Sequence, residues 1–356
     1  MSNATDSILN ADRVNYLNIG LMIISCAVAF FIPFELFLIV YAVLGPAHYL
    51  TEISWLHDRK YFSKGKWDFV FLGLAAVALF ITSYVLRPRE VVTIDQSKTL
   101  STAMVYIAFI AALAMVVLKT AFLRFIAVVI IMCSAIISKN AFVFFSVFLP
   151  TLVHVYLFTG MFMLYGALKG RSRSGYLACA IFVLIPLLFI FWNPDAMAIT
   201  EWGRRDYSQF HALNFYMLNL WDSAQYTVQP TTQGEYNSLI TGVYNSSIGL
   251  IFMRFIAFAY TYHYLNWFSK TTVIKWHKIP KVRMVVILVL WITAVALYRW
   301  DYKLGFDVLF LLSFLHVFLE FPLNHVTAMG IFTETKSILR GKPVNAPAPV
   351  SKGKKR

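Results

Sequence analysis

Residues 69–86 read FVFLGLAAVALFITSYVL, a stretch with no charged residue and no proline. Such a stretch is typical of a helix that crosses the hydrocarbon core of a membrane, which takes about 20 apolar residues. Comparable stretches predict ten spans, at 16–34, 35–57, 69–86, 101–118, 122–138, 141–168, 175–193, 248–268, 284–300 and 306–330. We therefore predict an all-α integral membrane protein, a polytopic helical bundle of about ten spans.

The composition excludes a soluble globular chain. Hydrophobic residues make up 59% and charged residues 13% of the 356, and the mean hydropathy is +0.67, whereas soluble domains carry about 25% charged residues. The net charge of +14 is a possible sign of nucleic-acid binding, but lysine and arginine lie almost wholly in short segments between apolar stretches. There they set topology and contact anionic lipid. We exclude nucleic acid as a partner and expect anionic lipid at the basic loops.

The basic residues also predict the orientation. With the N-terminus in the cytoplasm, most of the 31 Lys and Arg residues fall on the cytoplasmic side, as the positive-inside rule requires, and the C-terminus is cytoplasmic too. The transmembrane domain is predicted to span 1–341. The one long connection, 194–247, is an outer loop that we expect to form a folded cap. Residues 342–356, proline-containing and basic, are expected to be a disordered cytoplasmic tail.

Ionisable residues inside the predicted spans are the candidate functional residues, because such groups are costly at membrane depth. The candidate metal ligands are His48, His154, His263, His316 and His325, and the candidate catalytic carboxylates are Glu52 and Glu320. From the outer end of each span, His48 and His154 lie about 13 residues deep and His263 about 15, a difference of roughly 3 Å. His316 and His325, about 10 and 19 residues deep, bracket that level.

A short pattern occurs twice, as His48-x3-Glu52-x4-His57 and as His316-x3-Glu320-x4-His325. The i, i+4 spacing places the first histidine and the glutamate of each on one helix face. The second histidine faces away unless the helix kinks, and Pro322 supplies a predicted break in the last span.

Prolines also stand shortly before candidate histidines on three helices: Pro46, Pro150 and Pro322. A proline frees a carbonyl group, which is tolerated at membrane depth mainly where protein or a cavity satisfies it. These sites are therefore predicted to line an internal cavity.

Imidazoles that converge from several helices are common ligands of iron, copper and zinc. The alternative is that each imidazole hydrogen-bonds to a neighbouring helix without a metal. We interpret His57 and His277 as interfacial residues beside basic segments, and the sequence assigns no role to His211. Two other functions stay open: a membrane transporter, which also places polar groups at broken helices, and a non-enzymatic subunit for membrane-complex assembly.

Three segments, in this order along the chain, carry a family resemblance. They are Gly45-Pro46-Ala47-His48 with an acidic residue four positions on, Tyr262-His263-Tyr264-Leu265-Asn266-Trp267 followed by Lys275-Trp276-His277, and the final span from His316 to His325. In these segments the chain resembles the Brp/Blh-type bacterial membrane β-carotene 15,15′-dioxygenase family. Trp267 stands four residues after His263, where that family has a second histidine.

The resemblance implies a bacterial inner-membrane protein with a non-haem iron, Fe²⁺, held by His48, His154, His263 and His325. It implies the use of O₂ to cleave a polyene to retinal. Together with the matched depth of the histidines, it predicts an integral-membrane, His-ligated, metal-dependent oxygenase. The predicted substrate is a hydrophobic lipid or polyene drawn from the bilayer.

Overall fold

The structure, a computed structural model, describes residues 2–133, 143–221, 232–270, 275–276 and 278–341. This part of the chain is helical and contains no strand. Its helices are α1 Ser2–Phe31, α2 Pro33–Asp58, α3 Asp68–Ile81 with a π-helical turn at Thr82–Leu86, α4 Ile94–Val117, α5 Ala121–Cys133, α6 Phe144–Gly170, α7 Arg173–Phe191, α8 Glu201–Tyr207, α9 His211–Trp221, α10 Gln233–Tyr244, α11 Ser247–Ser269, α12 Lys281–Trp300 and α13 Tyr302–Leu339. Short 3₁₀ turns lie at Lys60–Phe62 and Ser208–Phe210.

Nine helices of the described residues are long and apolar enough to cross a membrane. They are α1 from Ala11 onward, α2, α3 with its π turn, α4, α6, α7, α11, α12 and α13. This confirms the all-α polytopic bundle. The predicted span 122–138 coincides in part with α5, whose apolar portion is the shorter Ala121–Ile130. The rest of that predicted span lies outside the described residues. The predicted tail at 342–356 and His277 also lie outside them.

Several helix starts follow from ordinary sequence signals. Pro33 occupies the first turn of α2, where its missing N–H costs no hydrogen bond. Thr93 and Gln96 form a capping box at the start of α4. The Asp301 side chain accepts the Leu304 N–H at 2.7 Å and caps α13.

Helices α2 and α11 form the centre of the bundle. In the apolar stretch of each, 67% of the residues are buried, whereas 17% are buried in α12, which lies at the periphery. α2 packs against α11, α12 and α13, and α11 packs against α1 and α6. Because lipid is as apolar as a protein core, the peripheral helices can expose large apolar side chains such as Val282. Among the buried polar residues, His48, Glu52 and His263 lie on these two central helices.

The connection 194–247 contains the helices α8, α9 and α10, and we refer to its described residues as the cap. Glu35 at the start of α2 holds the cap by accepting from both the backbone N–H and the hydroxyl of Thr200, each at 2.8 Å. The Tyr207 ring packs edge-on against Phe34 at 5.0 Å between ring centroids. The cap therefore sits on the ends of the spans and closes one end of the bundle, called here the cap end.

Two prolines near the candidate histidines affect their helices differently. In α6 the segment Phe144–Phe158 is π-helical and contains Pro150, which lacks an N–H and crowds the carbonyl four residues back. The wider π turn accommodates that crowding, and such turns are frequent at functional sites. Pro322, by contrast, lies inside α13, which continues as one helix to Leu339.

Candidate metal centre

Four histidines from four different helices meet in the middle of the bundle. His48 of α2, His154 of α6, His263 of α11 and His316 of α13 are 1%, 2%, 7% and 2% exposed. The distance between Nε2 of His48 and Nε2 of His263 is 3.0 Å, and between Nε2 of His154 and Nε2 of His316 it is 3.1 Å. Ring centroids are 5.0 Å apart for His154 and His263 and 5.4 Å for His48 and His316. The four rings thus form one closed group, which we call the histidine cluster.

Thr159 determines the orientation of His263. Its hydroxyl donates to the Val155 carbonyl at 2.8 Å and lies 2.7 Å from Nδ1 of His263. Because the only hydroxyl proton is used on Val155, the threonine oxygen must accept the Nδ1–H of His263. Nε2 of His263 therefore carries a lone pair, and it faces the cluster.

Two carboxylates contact histidines of the cluster, one at the ring nitrogen that faces outward and one at the ring nitrogen that faces inward. Oε2 of Glu320 lies 3.1 Å from Nδ1 of His154, and Oε2 of Glu52 lies 3.0 Å from Nε2 of His48. Glu320 lies behind the ring of His154, where a carboxylate charge would favour a proton on Nδ1 and an Nε2 lone pair that faces inward. Glu52 stands on the inner side, beside the nitrogen that faces His263. Its oxygen adds to the inward-facing donors.

Aromatic side chains hold the remaining imidazoles. Tyr49 stacks on His316 with ring centroids 4.1 Å apart and planes 22° apart, and its hydroxyl lies 3.0 Å from that of Tyr264. The Trp267 ring lies edge-on to His48 at 5.3 Å, and its N–H donates to Thr51 at 3.0 Å. Trp267 therefore occupies the space beside His48 that a second histidine of α11 would enter.

The structure brings six of the seven predicted site residues together: His48, His154, His263, His316, Glu52 and Glu320. It does not bring in His325, whose Nε2 lies 2.8 Å from the Phe109 carbonyl oxygen on α4. His57 is also apart, with Nδ1 3.2 Å from the Tyr61 hydroxyl. Thr159 was not singled out from the sequence, although a hydroxyl five residues beyond a candidate histidine on an apolar helix was an available signal.

The cluster could hold a metal ion. Donor atoms of His48, His154 and His316 all lie within 4.8 Å of one another, and His263 joins them through its contact with His48. The inward-facing donors are imidazole nitrogens and one carboxylate oxygen, a set that suits iron, zinc, copper or nickel rather than calcium or magnesium. If no metal bound, two acceptors, His263 and Glu52, would compete for a single N–H on His48. A cation satisfies both acceptors at once.

A cavity of about 250 Å³ separates the cluster from the cap. His154, His263 and His316 form its floor, and Phe210 and Leu213 of the cap form its roof. Its walls are mainly aromatic, with Tyr41, Tyr49, Tyr260, Tyr264, Phe306, Phe310 and Phe314 among the lining residues. The cluster thus borders a largely apolar space.

Comparisons of the chain with protein-family models, with curated proteins and with solved structures gave no match.

Proposed function

We propose that the protein is a membrane-embedded, metal-dependent oxygenase that acts on a hydrophobic substrate, a lipid or a polyene, taken from the bilayer. The observation that carries the proposal is the set of inward-facing donors on four helices at the floor of an apolar cavity. Buried imidazoles fixed from behind by Glu320 and Thr159 are the arrangement that metal-ligating histidines usually show.

The cavity supports oxidation rather than hydrolysis. A space lined by tyrosine and phenylalanine rings fits a hydrocarbon segment, which offers no bond that water cleaves readily. A redox metal can supply the oxidation of such a segment by O₂, and iron with histidine and carboxylate donors is suited to it. Bound iron would supply the redox chemistry.

The chain's own residues would then have distinct tasks. His48, His154, His263 and His316 would hold the metal, Glu52 would complete or polarise the donor set, and Glu320 would keep the proton of His154 on Nδ1. Tyr49 and Tyr264 would position the substrate against the floor, since both line the cavity and their hydroxyls contact each other. The cap would exclude water from the cavity.

Metal analysis of detergent-purified protein tests the metal site. We expect near-stoichiometric iron in the wild type and in His57→Ala, and loss of iron in His48→Ala, His154→Ala, His263→Ala and His316→Ala. His325→Ala separates two ligand sets: it keeps iron if the histidine cluster is the site and loses it if the set implied by the family resemblance is right. Size-exclusion profiles and thermal melts identify variants that misfold.

Oxygen uptake tests the reaction. With iron bound, we expect O₂ consumption that depends on added lipid or polyene and that disappears in His316→Ala. A wild-type protein that stays free of iron after reconstitution with Fe²⁺, although folded, would overturn the proposed function. Iron binding without lipid-dependent O₂ uptake would support the metal site but contradict the oxygenase activity.

A further inference from the structure

A second cavity, of about 350 Å³, lies at the cap end next to the cavity above the cluster. It is formed by the end of α3 and its π turn, the start of α4, the start of α6, and α9. Four serines line it, together with two basic residues: Ser83, Ser97, Ser101, Ser146, Arg87 and Lys98. We call it the polar cavity.

The polar cavity is positively charged. No acidic residue lines it; Glu90 on the connection before α4 and Asp95 in the first turn of α4 both lie outside its lining. Within the described part of the chain, no carboxylate lies within ion-pair distance of Arg87 or Lys98. Two cations among hydroxyl groups are a chemical match for a carboxylate or a phosphate.

The depth of this charge matches that of a lipid headgroup. Arg87 follows directly on the span that ends at Leu86, and Lys98 lies in the second turn of the span that begins at Ile94. Both therefore stand at the edge of the hydrocarbon region, where headgroups lie. A surface lysine or arginine at such a position is common, but here both side chains line one concavity.

The polar cavity and the apolar cavity adjoin each other. Ser146, Val147 and Ala212 line both of them. From Ser146 to His154 the chain of α6 advances eight residues, which corresponds to about 12 Å at the rise of an α-helix and somewhat less in a π-helix. The two cavities thus offer positive charge at one end and aromatic walls beside the cluster at the other. These surfaces are complementary to the two ends of an amphiphile.

We propose that the two cavities together bind a single-chain lipid with an anionic headgroup, its headgroup between Arg87 and Lys98 and its hydrocarbon chain running to the histidine cluster. The claim that this lipid is the substrate rests on the proposed function, whereas the claim that the lipid binds does not. The arrangement places chain carbons remote from the headgroup beside the cluster. A long-chain carboxylate and a lysophosphatidate share this chemistry.

Photolabelling of metal-free protein tests the binding mode without any reaction. Two palmitate probes carry a diazirine either next to the carboxylate or near the methyl end, and labelled peptides are identified by mass spectrometry. We expect the first probe to label the start of α4 around Ser97 and the second to label α13 between Phe310 and His316. The double variant Arg87→Gln/Lys98→Gln is expected to weaken labelling about tenfold or more, the loss of one or two charge-assisted hydrogen bonds.

Matched controls sharpen the result. Arg89→Gln, at an exposed position two residues from Arg87, is expected to label like the wild type. Val147→Trp narrows the junction, so headgroup-end labelling should persist while methyl-end labelling of α13 is lost. Competition by palmitate, lysophosphatidate and hexadecanol distinguishes carboxylate, phosphate and neutral heads, and equal competition by hexadecanol would overturn the inference.

The two proposals can fail separately. If lipid-dependent O₂ uptake proceeds with neutral substrates and is unchanged in Arg87→Gln/Lys98→Gln, the oxygenase stands and the anionic headgroup is wrong. If the probes label both ends as expected but no O₂ is consumed, the lipid site stands and the oxygenase is wrong. Labelling that is insensitive to both charges, or that is confined to the lipid-facing surface, overturns the site itself.

Discussion

The Thr159 hydroxyl lies 2.7 Å from Nδ1 of His263 and 2.8 Å from the Val155 carbonyl oxygen. One hydroxyl thus ties an imidazole of α11 to the backbone of α6. Since its single proton is donated to Val155, it decides which nitrogen of His263 is protonated.

Replacing Thr159 by valine removes the acceptor for the Nδ1–H of His263 and frees the ring to change tautomer or turn. We expect iron affinity to fall about 10- to 100-fold, the usual effect of losing a group that orients a ligand. Thr159→Ser keeps the hydroxyl and should bind iron within a few-fold of the wild type. Competition with a chelator measures the affinities, and equal affinities for the two variants would refute the role of the hydroxyl.

Glu52 and Glu320 are expected to differ in a Co²⁺-substituted protein. Glu52 lies on the inner side of His48 at 3.0 Å from Nε2, so Glu52→Gln should change the donor set and shift the visible absorption bands of Co²⁺. Glu320 lies behind His154 at Nδ1. Glu320→Gln should therefore weaken binding but preserve the band positions, and the reverse pattern would exchange the two assignments.

Arg254 is the largest fully buried side chain in the described residues. Its guanidinium donates to the Phe30 and Pro194 carbonyls at 2.8 and 2.5 Å and also to the Asn193 side chain. It thereby links the end of α1 to the start of the cap connection.

Arg254→Met leaves these buried acceptors without a donor. We expect the free energy of unfolding to fall by about 2 to 4 kcal/mol, because each unpaired acceptor carries a desolvation cost. Arg299→Met, at an exposed position of the same end, should change it by about 0.5 kcal/mol or less. Thermal melts in detergent compare the two, and similar melting temperatures would show that the buried contacts contribute little.

His211 in the cap predicts a pH dependence. Its Nε2 lies 2.7 Å from the Tyr244 hydroxyl, which donates its own proton to the Arg204 carbonyl, so the imidazole acts as the donor. Burial lowers the pKa of His211 from 6.5 to about 4. The folded cap thus favours the neutral ring, whereas the unfolded chain takes up a proton below pH 6.5.

The stability that depends on neutral His211 is therefore complete above pH 6.5 and is lost as the pH falls from 6.5 towards 4, by about 3 kcal/mol over that window. Thermal unfolding of metal-free protein across this pH range measures it. His211→Gln, which still offers a donor to Tyr244 but does not titrate, should lose less stability over the same range. If the stability of the wild type and of His211→Gln fell in parallel with pH, the effect would not come from titration of His211.

Most of the fold and much of the candidate site could be predicted from the sequence, because apolar length and the cost of intramembrane polar groups are local properties. The depth of His316 shows where the prediction was inaccurate. The last span was predicted from 306, but α13 begins at Tyr302, so His316 lies 14 residues from its start. That matches His48, 15 residues into α2, and His263, 16 residues into α11. Asp301, which caps α13, was the signal for the earlier start.

Other parts of the site depend on contacts between helices and could not be read from one stretch of sequence. Pro322 was expected to break the last span and bring in His325, but α13 continues through it, and His325 faces the Phe109 carbonyl of α4. The orientation of each ring depends on a group from another helix, as with Thr159 and His263. Apolar periodicity carries no information about such pairs.

The histidine cluster draws its four rings from α2, α6, α11 and α13, and α13 is the last of these four helices along the chain. Because helices enter the membrane in the order of synthesis, a nascent chain holds three of the rings before His316 exists. The full cluster therefore forms only after α13 has been made and inserted. Chains truncated before α13 would lack the fourth ring, and a quality-control protease could recognise them by the unfilled space beside Tyr49 that His316 occupies in the intact protein.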